Sequence, residues 1–204
     1  SPPGQGEWIA GLALGPGGAR RYHLYRPPGL VLARGETLPL LVMLHGCGQT
    51  GRDFAASTRM DRLAASGRFL VLYPEQDRIA NLQGCWNWFA RRNGKAEAEA
   101  ATLMAMVDQV LQLYPADHTR VALAGLSAGA GMAALLATEY PARWSAVAMH
   151  SGVAPGAARS TATALAAMVG KRHADLGAPG PQGLPPLLVL QGTADRVVAP
   201  GNGA

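Results

Sequence analysis

Apolar residues along this chain fall into two patterns that take turns. Short runs with hardly a polar break occupy residues 38–44 (L-P-L-L-V-M-L), 69–73, 121–124, 146–149 and 187–190. Such runs have the length of a strand and suit strands buried on both faces. Between them lie segments with helical spacing. Residues 53–66 form one, with Gly67 placed to stop it. Residues 96–114 form the clearest, with Leu103, Met106, Val107, Val110, Leu111 and Tyr114 on one face and Pro115 at the end. A third follows Ser127, its Met132, Leu135 and Leu136 facing inward until Pro141, and a fourth covers 160–169. Strand alternating with helix predicts an α/β fold, a mostly parallel sheet with helices on both faces.

The remaining stretches are less regular. Residues 20–26 (R-R-Y-H-L-Y-R) alternate and are rich in aromatics, which predicts an edge strand stopped by Pro27-Pro28. Residues 1–18 are rich in Gly and Pro without sustained periodicity and read as an N-terminal arm. Residues 81–94 are irregular and aromatic, and 171–184 form a Gly/Pro loop. No internal repeat is present, so the expected organisation is an arm (1–18) and one domain (19–204).

Composition narrows the classes. At 204 residues, 49% hydrophobic, the chain can bury one sizeable core. No apolar run approaches the ~20 residues that span a bilayer, so membrane insertion is not expected. The first residue is Ser1 rather than Met, which reads as a processed or trimmed chain and leaves export open. The net charge of +5 comes from scattered arginines, with Lys95 and Lys171 the two lysines. No basic stripe is interleaved with aromatics, so nucleic acid is not an expected partner, and a weak pull on anionic substrates is the more modest inference. Cys47 and Cys85 are too few for a disulfide scaffold and lack metal-ligand spacing; two buried thiols and one bridge both remain open. Nothing requires a metal or a cofactor.

The chemistry centres on residues 121–131, V-A-L-A-G-L-S-A-G-A-G. A strand, then Gly125-Leu126-Ser127-Ala128-Gly129, then a helix is the G-x-S-x-G arrangement that lifts a serine hydroxyl out of a tight turn. Side chains at 125 and 129 would collide there, and a strained apex is easiest to reach between glycines. The following helix presents its positive end to the hydroxyl.

A serine nucleophile needs a base, an orienting acid and donors for the oxyanion. Asp195, in Q-G-T-A-D-R-V-V directly beyond the strand ending at Leu190, is the expected acid, with a turn-capping aspartate as the bland alternative. The N–H of Ala128 should supply one oxyanion donor. The His45–Gln49 loop should supply the other, Cys47 N–H first and Gly46 second. None of the five histidines lies after Asp195. His23 is in the edge strand, and His45 ends a strand and braces the oxyanion loop. His118 precedes its strand on the far side, and His173 is in a loop. His150 ends a strand on the correct edge but ahead of the acid. The expected base therefore lies beyond Ala204.

Six motifs in order, L-H-G-C-G-Q, V-L-Y-P-E-Q, C-W-N-W-F, A-G-L-S-A-G, H-S-G-V-A-P-G-A-A and G-T-A-D-R-V-V, resemble the polyhydroxybutyrate depolymerase family of esterases, which is related to feruloyl esterases. The resemblance covers nearly everything from Arg20 onward. It implies an α/β-hydrolase fold incomplete at its C-terminal strand and histidine loop. It also implies a Ser-His-Asp triad with Ser127 and Asp195 as two members, acting on esters of hydroxyalkanoates or plant phenolic acids. The family's histidine segment has no counterpart here. Relatives often show Gly then Ala where this chain has Ala130-Gly131, a departure expected to have no consequence.

The resemblance also implies a Cys47–Cys85 bridge, which fits an extracellular or periplasmic protein. Such a bridge would pin the oxyanion loop against the aromatic segment and bring Trp86, Trp88 and Phe89 to the cleft rim. Trp86 and Trp88, facing the same way in an extended segment, are the expected substrate contacts. Two readings compete with a serine esterase on hydroxyalkanoates or related short acyl esters: a feruloyl or acetyl-xylan esterase, and a non-catalytic binding protein of the same fold. A nucleotide-binding α/β protein using the Gly-rich turn as a phosphate cradle is a further rival, and it is not the expected one, since Gly125, Gly129 and Gly131 do not give G-x-G-x-x-G and no P-loop lysine is present.

Overall fold

In the computed structural model, residues 5–152, 183–195 and 197–198 are described. Within them the elements run β1 (Glu7–Gly15), β2 (Gly18–Arg26), β3 (Leu38–Leu44), α1 (Gly51–Thr58), α2 (Met60–Gly67), β4 (Leu70–Pro74), α3 (Lys95–Leu113), β5 (Ala116–Leu126), α4 (Ala128–Glu139), β6 (Ala146–His150) and β7 (Leu187–Leu190). The strands form one sheet in the order β1-β2-β4-β3-β5-β6-β7. From β4 to β7 every pairing is parallel, and β1 and β2 join antiparallel.

The unbroken apolar runs are buried on both faces because each strand feeds two cores. Leu40, Val42 and Leu44 of β3, with Leu70 and Leu72 of β4, pack with α3 and α4. Met43, Val71 and Tyr73 point the other way, against Phe54 and Ala55 of α1 and Ala64 of α2. Successive residues alternate faces in a strand, so two helical layers require this continuous apolarity.

Two expectations need correction. Residues 1–18 are not simply an arm: Glu7–Gly15 is the edge strand, which makes β2 an interior strand paired on both sides. The 53–66 helix is two helices, divided at Arg59, whose φ of 53° is left-handed. A capping box between Thr50 and Asp53 starts α1 two residues earlier than expected. The expected helix at 160–169, His173 and most of the 171–184 loop lie outside the described residues.

Candidate active site

The sheet order reverses direction between β3 and β5, since β3 connects onward to β4 on one side and β4 to β5 on the other. Loops leaving the carboxyl ends of such neighbouring strands diverge and open a crevice. Here those loops are His45–Gln49 after β3 and the turn at Ser127 after β5.

Ser127 has φ 55° and ψ −116°, a strained conformation for a residue with a side chain. Its N–H donates to His150 O at 2.9 Å and its carbonyl accepts from Gly131 N–H at 3.1 Å, so both sides of the apex are tied. A Cβ on Gly125 would lie 2.2 Å from Gly129 O, and one on Gly129 would lie 2.2 Å from Leu44 O. Both neighbours are backbone, so only glycine fits. Ser127 remains partly exposed and lines a cleft of about 730 Å³ together with Cys47, Ala128, Trp88 and Ser151.

Gly46 N–H is committed to Gln49 Oε1 at 2.8 Å, which leaves Cys47 N–H as the candidate from this loop. Ala128 N–H opens α4 and belongs to the first-turn donors that no intrahelical carbonyl can satisfy. His45 is buried, with Nδ1 donating to Gly46 O at 2.7 Å and Nε2 accepting Gln76 N–H at 3.2 Å. Burial holds its pKa below the ordinary histidine value, against a smaller opposing effect of the Gly46 hydrogen bond. With both ring nitrogens occupied, His45 braces the loop.

Cys47 and Cys85 are disulfide-bonded across 38 residues. The segment beyond Cys85 does not present both tryptophans to the cleft. Trp86 is fully buried and donates from Nε1 to His45 O at 3.0 Å, so it supports the oxyanion loop from behind instead of meeting substrate. Trp88 and Phe89 do line the cleft, edge to face with centroids 5.7 Å apart. Trp88 and Phe89 form a turn closed by Ala90 N–H donating to Asn87 O at 3.0 Å, so the extended geometry that would have aligned the two tryptophans ends before Trp88.

Sequence reasoning missed what anchors this wall. Glu99 of α3 is 1% exposed, and its carboxylate accepts Asn87 N–H at 2.6 Å and Arg20 Nη2 at 3.1 Å. It also accepts from Gln76 Nε2, which donates in addition to Cys85 O at 2.9 Å. One carboxylate therefore joins β2, α3, the oxyanion brace and the aromatic segment. The available signal was an acidic residue on the apolar face of α3.

Asp195 sits beyond β7, and the register that pairs Leu126 with His150 and His150 with Leu190 brings its strand level with the serine turn. Its Oδ1 accepts Val197 and Val198 N–H at 2.8 and 2.9 Å, and Oδ2 faces Gln191 Nε2 at 3.3 Å. Those backbone donors, with smaller help from the Ser151 hydroxyl, hold its pKa below the usual carboxylate range. His23 faces Glu75 at 3.7 Å in β2, and His118 is exposed at the opposite end of β5. His150 is exposed, its Nδ1 3.0 Å from Ser151 Oγ. Among the described residues no histidine is hydrogen-bonded to the Ser127 hydroxyl, and no helix is long and apolar enough to cross a membrane.

Comparisons with known proteins fit this arrangement. Poly(3-hydroxyalkanoate) depolymerase C of Paucimonas lemoignei is 34% identical over 175 residues, covering 80% of this chain and 42% of that protein. Feruloyl esterase B of Neurospora crassa is 34% identical over 128 residues, covering 60% of this chain and 43% of that protein. The chain thus spans less than half the length of these relatives. Among solved structures, an acetyl xylan esterase from Aspergillus awamori superposes with a TM-score of 0.72 at 21% identity, over 96% of this chain and 75% of that one. It shares the α/β-hydrolase fold. A family model described as Esterase PHB depolymerase matches residues 20–202, and the chain belongs to that family.

Proposed function

We propose that this chain carries the nucleophile, acid and oxyanion donors of a serine carboxylic ester hydrolase. The single observation behind this is Ser127 held at φ 55° at the sheet's carboxyl edge, open to a cleft it shares with Cys47 and Ala128. Ser127 Oγ attacks the ester carbonyl while Cys47 and Ala128 N–H groups hold the developing oxyanion. The proton passes to a histidine oriented by Asp195, which hands it to the departing alcohol as the ester bond breaks; the same histidine then takes a proton from the water that attacks the acyl-enzyme and returns it to Ser127 Oγ as the acid leaves. We place that histidine beyond residue 204, because among the described residues His23, His45 and His150 have other partners and His118 faces away.

The cleft favours a short, largely apolar acyl group: Ile79, Leu82, Trp88, Phe89 and Val198 line it, and among the described residues none that lines it is acidic. Hydroxyalkanoate esters fit that description, and the similarity to a poly(3-hydroxyalkanoate) depolymerase supports them. The Trp88–Phe89 pair favours a second reading, a phenolic acyl group stacked on the wall, as in a feruloyl esterase. The bridge between Cys47 and Cys85 supports an exported protein.

Hydrolysis of short p-nitrophenyl esters by the full-length protein and by Ser127→Ala tests the proposal. Loss of at least a thousandfold in kcat is expected, and equal rates end the assignment. Hydroxybutyrate oligomers against methyl ferulate then separate the two substrate readings.

A further inference from the structure

Lys95 opens α3 and lines the same cleft as Ser127. Among the described residues along that cleft it alone carries a full charge. Its Nζ donates to Ala80 O at 2.6 Å, so the loop between β4 and the aromatic segment holds the ammonium against the cleft wall. An ammonium has three protons to give, and this carbonyl takes one of them.

No acid neutralises this charge. Glu97, two positions along the helix, is engaged by Arg91, whose other nitrogen reaches Glu139. Lys95 itself has no ion-pair partner among the described residues. Its surroundings add to the positive field. Gly94 gives α3 no side-chain cap, so the positive end of a 19-residue helix lies beside the ammonium. Asn93, also in the lining, accepts Lys95 N–H on Oδ1 at 3.2 Å, which leaves its amide N–H groups as further donors.

A lone lysine on open surface needs no account. A tethered one on the wall of a cleft lined by Ile79, Leu82, Trp88 and Phe89 suits a ligand with an apolar body and one negative end. A hydroxy acid oligomer has that form: neutral ester units along its length and one carboxylate at one end. We propose that Lys95 is a specificity-determining residue, its ammonium holding the terminal carboxylate of a short hydroxy acid oligomer while an ester bond of the same chain lies at Ser127. This rests on the reading of Ser127 as the nucleophile of an esterase acting on hydroxyalkanoates. The interior of a long polyester offers no carboxylate, and neither does methyl ferulate, so the preferred substrate is a soluble, charged chain end.

The test uses the full-length protein carrying Ser127→Ala, which keeps the ligand intact, and calorimetry with the linear dimer of 3-hydroxybutyric acid and with its methyl ester. The anion should bind about fivefold more tightly than the methyl ester at low salt, an advantage that shrinks as salt is added. Adding Lys95→Met should abolish the preference, and Lys95→Arg should largely keep it. With Ser127 intact, Lys95→Met should raise KM for the dimer by about the same factor, with kcat changed less than twofold. If Lys95 merely ties its loop in place, Lys95→Met weakens both ligands alike and the preference stands. That result, or no preference for the anion at the outset, overturns the inference. If Ser127→Ala hydrolyses the dimer as fast as the original protein, the esterase reading fails. If it is inactive and the preference ignores Lys95, only the role of Lys95 fails.

Discussion

At Gly125, Gly129 and Gly131 the missing side chain is what the fold uses, but the three positions differ in what a methyl group would strike. At 129 it meets Leu44 O at 2.2 Å, a backbone atom in an interior strand that cannot retreat. Gly129→Ala should therefore destabilise by about 2 kcal/mol or more and abolish turnover, read from urea midpoints and ester hydrolysis. At 131 the obstacle is the Trp88 ring, 2.7 Å away, and a ring can tilt. Gly131→Ala should cost about 1 kcal/mol and act mainly on KM, because Trp88 lines the cleft. The collisions at 125 and 129 were legible in the G-x-S-x-G spacing. The consequence at 131 was not, since the residue it touches lies 43 positions away in sequence and only the fold brings them together.

Histidines give the residue scale a pH signature. Burial depresses the pKa of His45, and burial with nearby Arg52 depresses that of His23. Folded protein then binds fewer protons than unfolded chain below the ordinary value of 6.5. Stability should fall as pH drops through that value and hold steady above it. Urea midpoints from pH 7.5 to 5 should decline, and His45→Gln should make the decline shallower. An unchanged slope in that variant would count against a neutral, buried His45.

Among the elements, β1 was hidden by its own glycines. Gly11 and Gly15 read as loop signals, yet a Cβ on Gly11 would lie 2.1 Å from the Tyr22 ring and one on Gly15 2.6 Å from Thr102. They mark close approach of neighbouring chain rather than a turn, and periodicity cannot tell these apart. Helix α3 shows a second limit. Glu97 and Glu99 sit in the same A-E-A-E-A repeat, but Glu97 pairs with exposed Arg91 whereas Glu99 is buried against Arg20. Glu99→Gln leaves the Arg20 charge buried without its partner and should cost about 3 kcal/mol. Glu97→Gln should cost no more than about 0.5 kcal/mol. Equal costs in denaturation would mean that the buried network does not anchor the aromatic wall.

For the molecule as a whole, the alternating apolar runs were enough to read the parallel sheet and the edge on which Ser127 and Asp195 lie. What they could not supply was the depth of each aromatic residue. Trp86 and Trp88 look equivalent in C-W-N-W, and only the buried carbonyl of His45 decides that one is scaffold and the other wall.

The bond from Cys47 to Cys85 fastens the candidate oxyanion donor to that wall. By chain entropy, closing 38 residues stabilises by about 4 kcal/mol. Cys85→Ser should lower kcat more than it raises KM, because a slackened Cys47 peptide is missed chiefly once negative charge has formed on the substrate. The tether thus doubles as a safety catch. If the proposed roles hold, reduction leaves Ser127 on its turn with the Cys47 peptide adrift, so ester hydrolysis should fall when the bridge is reduced and return on reoxidation.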